Sequence, residues 1–352
     1  MRLMPGPEFR GPISPCGNVP LYKLNGVKCF LFSVAAFGAG VYLKIFPGSI
    51  VFDNFVKLTA AMNLFAFGFC GFLTVKGFCF PSSSDSGSSG NVVMDFYWGT
   101  ELYPRILGWD VKVFTNCRFG MMFWGLGSIS FACAQYEHHG VLTLPMLVSV
   151  SLQFIYVFKF FWWESGYFKT IDIMHDRAGY YICWGCLVWL PTLYTSPASF
   201  LVHHREDWQP LSALVVFVAG VVAIYLNYWV DIQRQEFRAK DGRMKINGKE
   251  AEFIVASYET EDGKKHESKL LLSGWWGMSR KINYVFEILS AFLWSVPFAH
   301  PTFLTPNLYW IFLVILLLDR AYRDDVRCRE KYGKDWNRYC ECVPYLLFPG
   351  IW

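Results

Sequence analysis

The sequence is dominated by apolar stretches that approach the length of a membrane-spanning helix. A helix needs about 20 consecutive apolar residues to cross the hydrocarbon core of a bilayer, and eight stretches of this chain come near that length. They cover residues 26–46, 55–78, 119–134, 141–163, 180–201, 211–229, 285–299 and 303–318. The pattern therefore predicts an all-α fold, a polytopic bundle of transmembrane helices.

The composition argues against an ordinary soluble domain and against a nucleic-acid partner. Only 17% of the residues are charged and 54% are hydrophobic, with 33 Phe, 19 Tyr and 15 Trp, whereas soluble domains carry roughly 25% charged residues. The net charge of +4 is too small to indicate nucleic-acid binding. We therefore expect the lipid bilayer and a lipidic substrate as partners. The N-terminal residues do not have the pattern of a secretory signal.

The 11 cysteines indicate neither disulfides nor a metal site. Their number is odd and most lie in apolar stretches, which favours reduced, buried thiols over a secreted disulfide framework. Cys183 and Cys186 form a CxxC pair, but no second pair completes a zinc site. We predict no metal.

Two prolines interrupt the apolar stretches. Pro191 and Pro297 are tolerable in membrane helices where neighbouring helices or internal cavities satisfy the freed backbone groups. We expect a packed bundle with internal space.

Three polar stretches divide the chain. Residues 81–91 (PSSSDSGSSGN) are typical of a flexible loop, and residues 231–270 contain the strand-like fragments FIVASYET and KLLLS. From Asp319 onward, basic residues crowd the end of the last apolar stretch, and the positive-inside rule places the C-terminus in the cytosol. We predict a polar segment at 1–25, membrane helices with the apolar substrate pocket at 26–230, and a cytosolic loop, two membrane helices and a tail at 231–352.

A group of ionisable residues lies between two apolar stretches, in and just before WWESGYFKTIDIMHDRAGYY. Ionisable residues at membrane depth are costly and indicate function. Burial and neighbouring charges can tune one of them as a proton donor, while a solvated loop with helix caps explains the same pattern equally well. The candidate catalytic residues are Tyr156, Glu164, Asp172, His175 and Asp176.

A second group of residues is cationic and suits phosphate binding. Arg234 and Arg238 are spaced i, i+4 and therefore share one helical face, and guanidinium groups bind phosphates through two parallel hydrogen bonds. A positive anchor with interfacial aromatic residues is the simpler interpretation of the same pattern. Neither a GxGxxG motif nor a P-loop is present. The other candidates for holding phosphates or a ring are Arg320, Arg323, Asp324, Trp275, Trp276, Trp336 and Tyr339.

Two long runs resemble the signatures of a known membrane enzyme family. GTELYPRILGWDVKVFTNCRFGM (99–121) and LLLDRAYRDDVRCREKYGKDWNRY (316–339) are similar to those of the sterol reductases, which include sterol 14-reductases, the lamin B receptor and 7-dehydrocholesterol reductases. LLLSGWWGMSRKINY (270–284) fits the segment between them, so the resemblance covers nearly the whole chain. HDRAGYYICWGCLVWLPTLYTSP and FPSSSDSGSSGN resemble the delta-7 branch of the family, and its plant-type members more than the animal ones.

The resemblance implies a multi-pass enzyme of the endoplasmic reticulum that uses NADPH to reduce the 7,8 double bond of a 5,7-diene sterol. Other sterol-pathway enzymes are further partners to expect. The proton donor of the 14-reductase branch aligns with Tyr156. Relatives usually carry one or two further membrane helices before the region that matches MRLMPGPEF. We therefore expect either that this sequence is a truncated or spliced form, or that stability and activity are compromised. The implied cofactor residues are Arg234, Arg238, Trp275 or Trp276, Arg320, Asp324, Tyr332, Trp336 and Tyr339.

The chain departs from the family pattern at two cofactor-side positions. Asp319 stands where many relatives carry His or Arg, and Lys281 stands where they carry His. We therefore expect the cofactor geometry to differ locally.

Three alternative functions stay open. One is reduction at the 14 position of the sterol, and another is a non-catalytic sterol-binding scaffold. The third is a prenyl-cysteine methyltransferase with a similar C-terminal end, which would need S-adenosylmethionine and no clamp for a 2′-phosphate. The long sterol-reductase runs argue against the third.

Overall fold

The computed structural model describes residues 3–14, 16–259, 265–295 and 301–351, and most of them are helical. The predicted all-α class is confirmed. The helices are α1 (Gly26–Tyr42), α2 (Ile50–Asp53), α3 (Phe55–Cys79), α4 (Val92–Trp98), α5 (Met121–His139), α6 (Leu144–Trp162), α7 (Glu164–Tyr167), α8 (Ile171–Met174), α9 (Tyr180–Trp184), α10 (Ser196–His203), α11 (Pro210–Ala239), α12 (Ile282–Ser295), α13 (Leu304–Tyr332) and α14 (Lys334–Cys342).

Strands occur in the described residues only as two-stranded antiparallel ribbons. In the longest ribbon, Phe253 lies opposite Leu271 and Glu259 lies opposite Lys265. This ribbon confirms the strand character of FIVASYE (253–259) and of residues 269–271 in KLLLS. Leu272 and Ser273 lie beyond the strand, and Thr260 falls outside the described residues. The strands are β1 (Glu8–Arg10), β2 (Leu21–Lys23), β3 (Arg105–Ile106), β4 (Trp109–Asp110), β5 (Lys245–Ile246), β6 (Lys249–Glu250), β7 (Phe253–Glu259) and β8 (Lys265–Leu271).

Each of the eight predicted apolar stretches lies mainly on helix in the described residues, while the ends at 43–46 and 141–143 are not helical. Within the described ranges, five helices are long and apolar enough to cross a bilayer, namely α3, α6, α11, α13 and the continuous run Tyr180–His203. Two shorter apolar helices are α1 and α12. The end of the 285–299 stretch, with Pro297, lies outside the described residues.

Two π-helical stretches are continuous with α-helices. Val113–Gly120 leads into α5, and Gly185–Tyr194 continues α9. Pro191 lies inside the second stretch, where its missing N–H removes a helical hydrogen bond. Two threonine hydroxyls donate to backbone carbonyls at this point. Thr195 donates to the Pro191 carbonyl at 2.7 Å, and Thr192 donates to the Val188 carbonyl at 2.8 Å.

The chain forms two compact units, the first comprising Met1–Ala213 and Thr302–Pro306. A buried polar network joins α5 to α6 in this unit. The Gln153 side-chain oxygen accepts from Trp124 Nε1 at 2.7 Å and from the Ser128 hydroxyl at 2.9 Å, and the Gln153 amide donates to Ser149 at 3.0 Å. Because lipid provides no water, such bonds add to close packing in holding membrane helices together.

The second unit comprises Leu214–Pro301 and Asn307–Trp352. One buried cluster packs Val230 and Phe237 of α11 against Trp276, and another packs α14 against the β7–β8 ribbon. Because these clusters use the two faces of the ribbon, the ribbon supports both the end of α11 and the tail. The three-part division at residues 25 and 230 stays a prediction.

Candidate active site

The predicted acids lie in a loop between α6 and α9, which we call the acid loop (residues 163–179). It contains two four-residue helices, α7 and α8. Glu164 begins α7, Asp172 lies in α8, and His175 and Asp176 follow α8. Residues 99–121, which we call the signature segment, contact this loop at three points in the same unit.

The first contact is a buried ion pair at the start of the acid loop. Glu164 pairs with Arg118 of the signature segment, and the second carboxylate oxygen of Glu164 accepts the Gly26 amide at 3.0 Å. Arg118 also donates to the Asn25 side chain at 2.9 Å. Because Glu164 acts only as an acceptor in these contacts, it anchors the loop and the start of α1, and the geometry favours this role over that of a stored proton.

The second contact is made by a lysine that sequence reasoning did not single out. Lys112, 1% exposed, donates from Nζ to the backbone carbonyls of Asp172 at 3.1 Å, Ile173 at 2.7 Å and Asp176 at 2.8 Å. An ammonium has three N–H donors, so these acceptors use its full capacity. Burial lowers the pKa of Lys112 to about 8, against the opposing effect of nearby carboxyl groups.

The third contact joins backbone to backbone. The Ala178 amide donates to the Glu101 carbonyl at 3.0 Å. Gly99 has φ +99°, and a Cβ there would lie 2.5 Å from the Gly179 nitrogen, so only glycine permits this approach. The signature segment therefore holds the acid loop near its start, around α8 and at its end.

His175 and Asp176 form a pair in which an exposed imidazole contacts a buried carboxyl. Nδ1 of His175 lies 3.3 Å from Oδ1 of Asp176, and the His175 side chain is 65% exposed whereas Asp176 is buried. Histidine exchanges protons with water near neutral pH. The pair thus has the geometry needed to move a proton from water to a buried acid.

Tyr156 lies on α6, outside the acid loop. Its ring is half-buried, 5.4 Å between centroids from Trp124, and Nζ of Lys159 lies 4.2 Å from the ring centroid. An ammonium over an aromatic face is an attractive contact. The structure thus links Tyr156 to the α5–α6 network through Trp124.

Arg234 and Arg238, the arginine pair, lie one turn apart near the end of α11, as their spacing predicts. The Arg234 guanidinium lies 3.8 Å from the Trp276 ring centroid and donates to Asp231 at 3.1 Å. Arg238 is exposed, and no carboxylate of the described residues forms an ion pair with it. Like charges one turn apart repel each other, so a bound anion would relieve the arginine pair.

The two tryptophans after the ribbon have different environments. Trp276 is buried, and its Nε1 donates to the Val230 carbonyl at 2.9 Å. Its fixed ring provides the aromatic face on which the Arg234 guanidinium lies. Trp275 lines a cavity of about 350 Å³ together with Trp229, Gln233 and other residues. At 100° per residue, Trp229 and Gln233 lie away from the face of α11 that carries Arg238.

Asp324 is already engaged by two cations. It pairs with Lys281 and with Arg327, the latter at 2.5 Å. The side chains of Lys281 and Asp324 are 11% exposed, so this ion pair is largely shielded from solvent. Arg320 lies one turn before Asp324 on α13 and is half-buried.

Two of the aromatic residues of the tail, Trp336 and Tyr339, are buried in the core. Trp336 is 6% exposed and Tyr339 is 5% exposed, and both pack against the β7–β8 ribbon. Burial raises the pKa of Tyr339 to about 12. Tyr332 is half-buried, with its ring 6.2 Å from that of Trp336, so it is more accessible to a ligand than its two neighbours.

The chemistry of the donor set fits a polyanionic dinucleotide at the second unit. The arginine pair offers guanidinium groups for phosphates, and Arg238 forms no ion pair with a carboxylate of the described residues. Tyr332 and Trp275 are half-buried and offer aromatic faces. In the described part of the chain, no group of three or more His, Cys, Asp or Glu side chains is arranged to hold a metal ion.

Comparisons with known proteins give one consistent result. The model of the ergosterol biosynthesis ERG4/ERG24 family matches residues 2–352. The chain is 51% identical over 351 residues to a 7-dehydrocholesterol reductase of Arabidopsis thaliana, with 99% of this chain and 81% of the relative covered. Identity is 38% over 358 residues to a 7-dehydrocholesterol reductase of Xenopus laevis, with 99% and 75% covered. It is 37% over 349 residues to a delta(14)-sterol reductase of Methylotuvimicrobium alcaliphilum, with 99% and 79% covered.

Proposed function

Because this chain belongs to the ergosterol biosynthesis ERG4/ERG24 family, we propose that it uses NADPH to reduce the 7,8 double bond of 5,7-diene sterols. The observation that carries the proposal is the 51% identity to a plant 7-dehydrocholesterol reductase, against 37% to a delta(14)-sterol reductase. The apolar helices suit a substrate that is dissolved in a bilayer.

The reaction needs both a proton and a hydride. A carbon–carbon double bond that is not polarised does not accept hydride, so the diene is protonated first. A proton added to C8 leaves an allylic cation over C5, C6 and C7, and hydride addition at C7 then leaves the 5,6 double bond in place. NADPH, when bound, supplies the hydride. The protein must bind both molecules and deliver the proton.

The acid loop is the proposed source of the proton. Asp176 is the donor, and exposed His175, which contacts it at 3.3 Å, returns a proton from water after each turnover. Asp172 and Tyr156 are the other donor candidates, and Tyr156 also presents an aromatic face that stabilises a cation. Glu164 holds the loop through Arg118.

The second unit is the proposed cofactor site. The arginine pair and Arg320 bind phosphates, including the 2′-phosphate that distinguishes NADPH from NADH. Tyr332 and Trp275 contact the rings, and Asp324 orients the cofactor from its ion pairs with Lys281 and Arg327. Trp276, Trp336 and Tyr339 support these residues from the core.

The proposed location is the endoplasmic-reticulum membrane, with the C-terminus in the cytosol. The support is the set of seven Lys and Arg residues between Arg320 and Arg338, at the end of α13 and in α14. A protease added to sealed microsomes is expected to cleave a C-terminal tag without detergent. Protection of the tag would place the tail in the lumen.

The test of the activity uses microsomes that lack sterol reductase activity. The chain is expressed there, 7-dehydrocholesterol is added with NADPH or NADH, and the diene absorbance in the ultraviolet is followed. We expect loss of absorbance with NADPH, little loss with NADH, and no loss with Arg238→Glu. Arg243→Glu, an exposed arginine just after α11, is the matched control and keeps the activity.

Reduction at the 14 position is the second candidate, because of the 37% identity to a delta(14)-sterol reductase. An 8,14-diene sterol in the same assay separates the two. Consumption of this diene alone would replace the proposed function, and silence with both dienes would favour a non-catalytic sterol-binding scaffold.

A further inference from the structure

Lys112 is a fully buried cation whose hydrogen bonds go to backbone carbonyls. A buried ammonium is destabilising unless its charge and its donors are satisfied. Lys112 is satisfied by three carbonyls of the acid loop, between 2.7 and 3.1 Å from Nζ, and by the Tyr103 ring at 5.1 Å. Its hydrogen bonds are therefore to the backbone that carries the proposed acids.

The three accepting carbonyls lie in and just after a very short helix. The last carbonyls of any helix lack intrahelical partners, and α8 is only four residues long. Two of the three acceptors, Asp172 and Ile173, lie in α8, and the third, Asp176, comes just after it. A cation at the C-terminal end of a helix satisfies such carbonyls and the helix dipole.

Several titratable groups face Lys112 from the elements around it. They are Asp110 of β4, Asp172 of α8, Asp176 after α8, Cys183 of α9 and Tyr103 of the loop before β3. Asp110 accepts the Val113 amide at 3.0 Å through Oδ1, its Oδ2 has no partner within the described residues, and burial raises its pKa. Lys112 is the cation that these groups surround.

We propose that Lys112 is a positioning residue for the proton transfer: its ammonium fixes the turn at 172–176, and so holds the Asp176 carboxyl against His175. The proposal rests on the proposed function, in which Asp176 gives its proton to the sterol. It also gives a physical role to the signature segment, whose cations Lys112 and Arg118 each hold one part of the acid loop.

The proposal predicts a specific effect of pH. A protonated lysine has three N–H donors and a neutral amine has two, so loss of the proton removes one of the three carbonyl bonds. Because the pKa of Lys112 is about 8, Lys112 keeps all three carbonyl bonds below pH 8 and loses one of them as the pH rises above 8, which loosens the turn. Turnover should fall over the same range.

The experiment compares Lys112→Arg and Lys112→Met with a matched control in the full chain in membranes. Lys169→Met is the control, because Lys169 is an exposed lysine of the same loop. For each variant, kcat and KM for 7-dehydrocholesterol are measured from pH 6 to pH 10, together with the Kd of NADPH. We expect kcat of Lys112→Met to be at least tenfold below that of the wild type at pH 6 to 7, with the difference narrowing above pH 8, while KM and Kd stay within twofold.

Lys112→Arg tests the charge rather than the fold. Because a guanidinium does not lose its proton in this range, this variant should keep at least one third of kcat at pH 7, and its kcat should decline less than that of the wild type between pH 8 and pH 10. Wild type and Lys169→Met should both decline above pH 8. If Lys112→Arg declines like the wild type, or if Lys112→Met stays within twofold of it, the proposal is overturned.

A second readout does not depend on activity. Amide hydrogen exchange at residues 172–178 should quicken at least tenfold in Lys112→Met, and in the wild type between pH 7 and pH 9 beyond the intrinsic rate, but not in Lys169→Met. Unchanged exchange would overturn the proposal even in an active enzyme. If the wild type reduces no diene while exchange responds as expected, the proposed function fails and the role of Lys112 in fixing the turn stands.

Discussion

Lys112 and Arg118 of the signature segment differ from the arginine pair of α11 in how many hydrogen-bond and charge partners the protein gives them. Lys112 has three carbonyl acceptors. Arg118 has the Glu164 carboxylate and the Asn25 side chain, and only its Nε has no acceptor among the described residues. Arg234 has one carboxylate and an aromatic face, and Arg238 is exposed without an ion pair among the described residues.

The difference separates cations that build the protein from cations that can bind a ligand. A buried cation with all its acceptors inside the chain has no capacity for a ligand, and its loss leaves buried groups without partners. An exposed cation beside a second cation contributes little to the fold and keeps its donors for an anion. Variants of the first kind should change stability, and variants of the second kind should change affinity.

The largest effect is expected from Arg118→Met. Removal of the guanidinium leaves Glu164 charged and buried, with the Gly26 amide as its main remaining donor. Breaking a buried pair on one side costs about 3–5 kcal/mol, so we expect a loss of about 4 kcal/mol in the free energy of unfolding. Denaturant unfolding in detergent micelles, followed by tryptophan fluorescence, measures it.

Two controls sharpen this result. Arg118→Met combined with Glu164→Gln should recover part of the loss, because the uncompensated charge is gone. Lys240→Met breaks an exposed pair with Glu236 and should change stability by less than about 0.5 kcal/mol. An Arg118→Met protein as stable as the Lys240→Met protein would remove the distinction between the two kinds of cation.

A smaller loss of stability, about 3 kcal/mol, is expected from Trp336→Ala. Trp336 is buried against the β7–β8 ribbon and donates to Asp325 at 3.2 Å, and truncation of a buried tryptophan costs about 3–5 kcal/mol. Trp336→Phe should recover most of it. Thermal unfolding and the Kd of NADPH are measured together, and a large rise in Kd with unchanged stability would make Trp336 a direct cofactor contact.

The helices were predictable from sequence because each apolar stretch carries its own signal. The helical placement of the arginine pair followed from its i, i+4 spacing, and the strands of the β7–β8 ribbon followed from local composition. Such features depend on neighbours in the sequence, and the structure confirms them where it describes them.

The contacts of the acid loop were not predictable in the same way. Arg118 and Glu164 are 46 positions apart, and Lys112 reaches carbonyls 60 to 64 positions away. Every residue has a backbone carbonyl, so the sequence does not mark which carbonyls will accept from a lysine. The hint available was the presence of three cations, Arg105, Lys112 and Arg118, within one signature run. The burial of Trp336 was hidden for a similar reason, because a surface aromatic and a core aromatic look alike in a sequence.

Arg238→Leu is expected to weaken NADPH binding by about 1.4 kcal/mol, which is a tenfold rise in Kd. The variant loses one guanidinium from the proposed phosphate site, while its exposed position leaves stability within about 0.5 kcal/mol of the wild type. Fluorescence titration with NADPH and with NADH measures the affinities. A tenfold loss for NADPH with a smaller loss for NADH would place Arg238 at the 2′-phosphate, and equal affinities in variant and wild type would exclude Arg238 from the cofactor site.

The smallest effect, on the activation free energy, is expected from His175→Gln. This variant separates delivery of the proton to Asp176 from donation of the proton by Asp176. His175 is exposed, so stability should change by less than about 0.5 kcal/mol, and Asp176 can still take protons slowly from water. We expect kcat to fall about threefold, equivalent to about 0.65 kcal/mol, and to be restored by added imidazole, which replaces the missing proton carrier. Asp176→Asn should lose far more activity and gain nothing from imidazole, because its proton donor is absent. Restoration of both variants, or of neither, would mean that His175 and Asp176 do not act in this order.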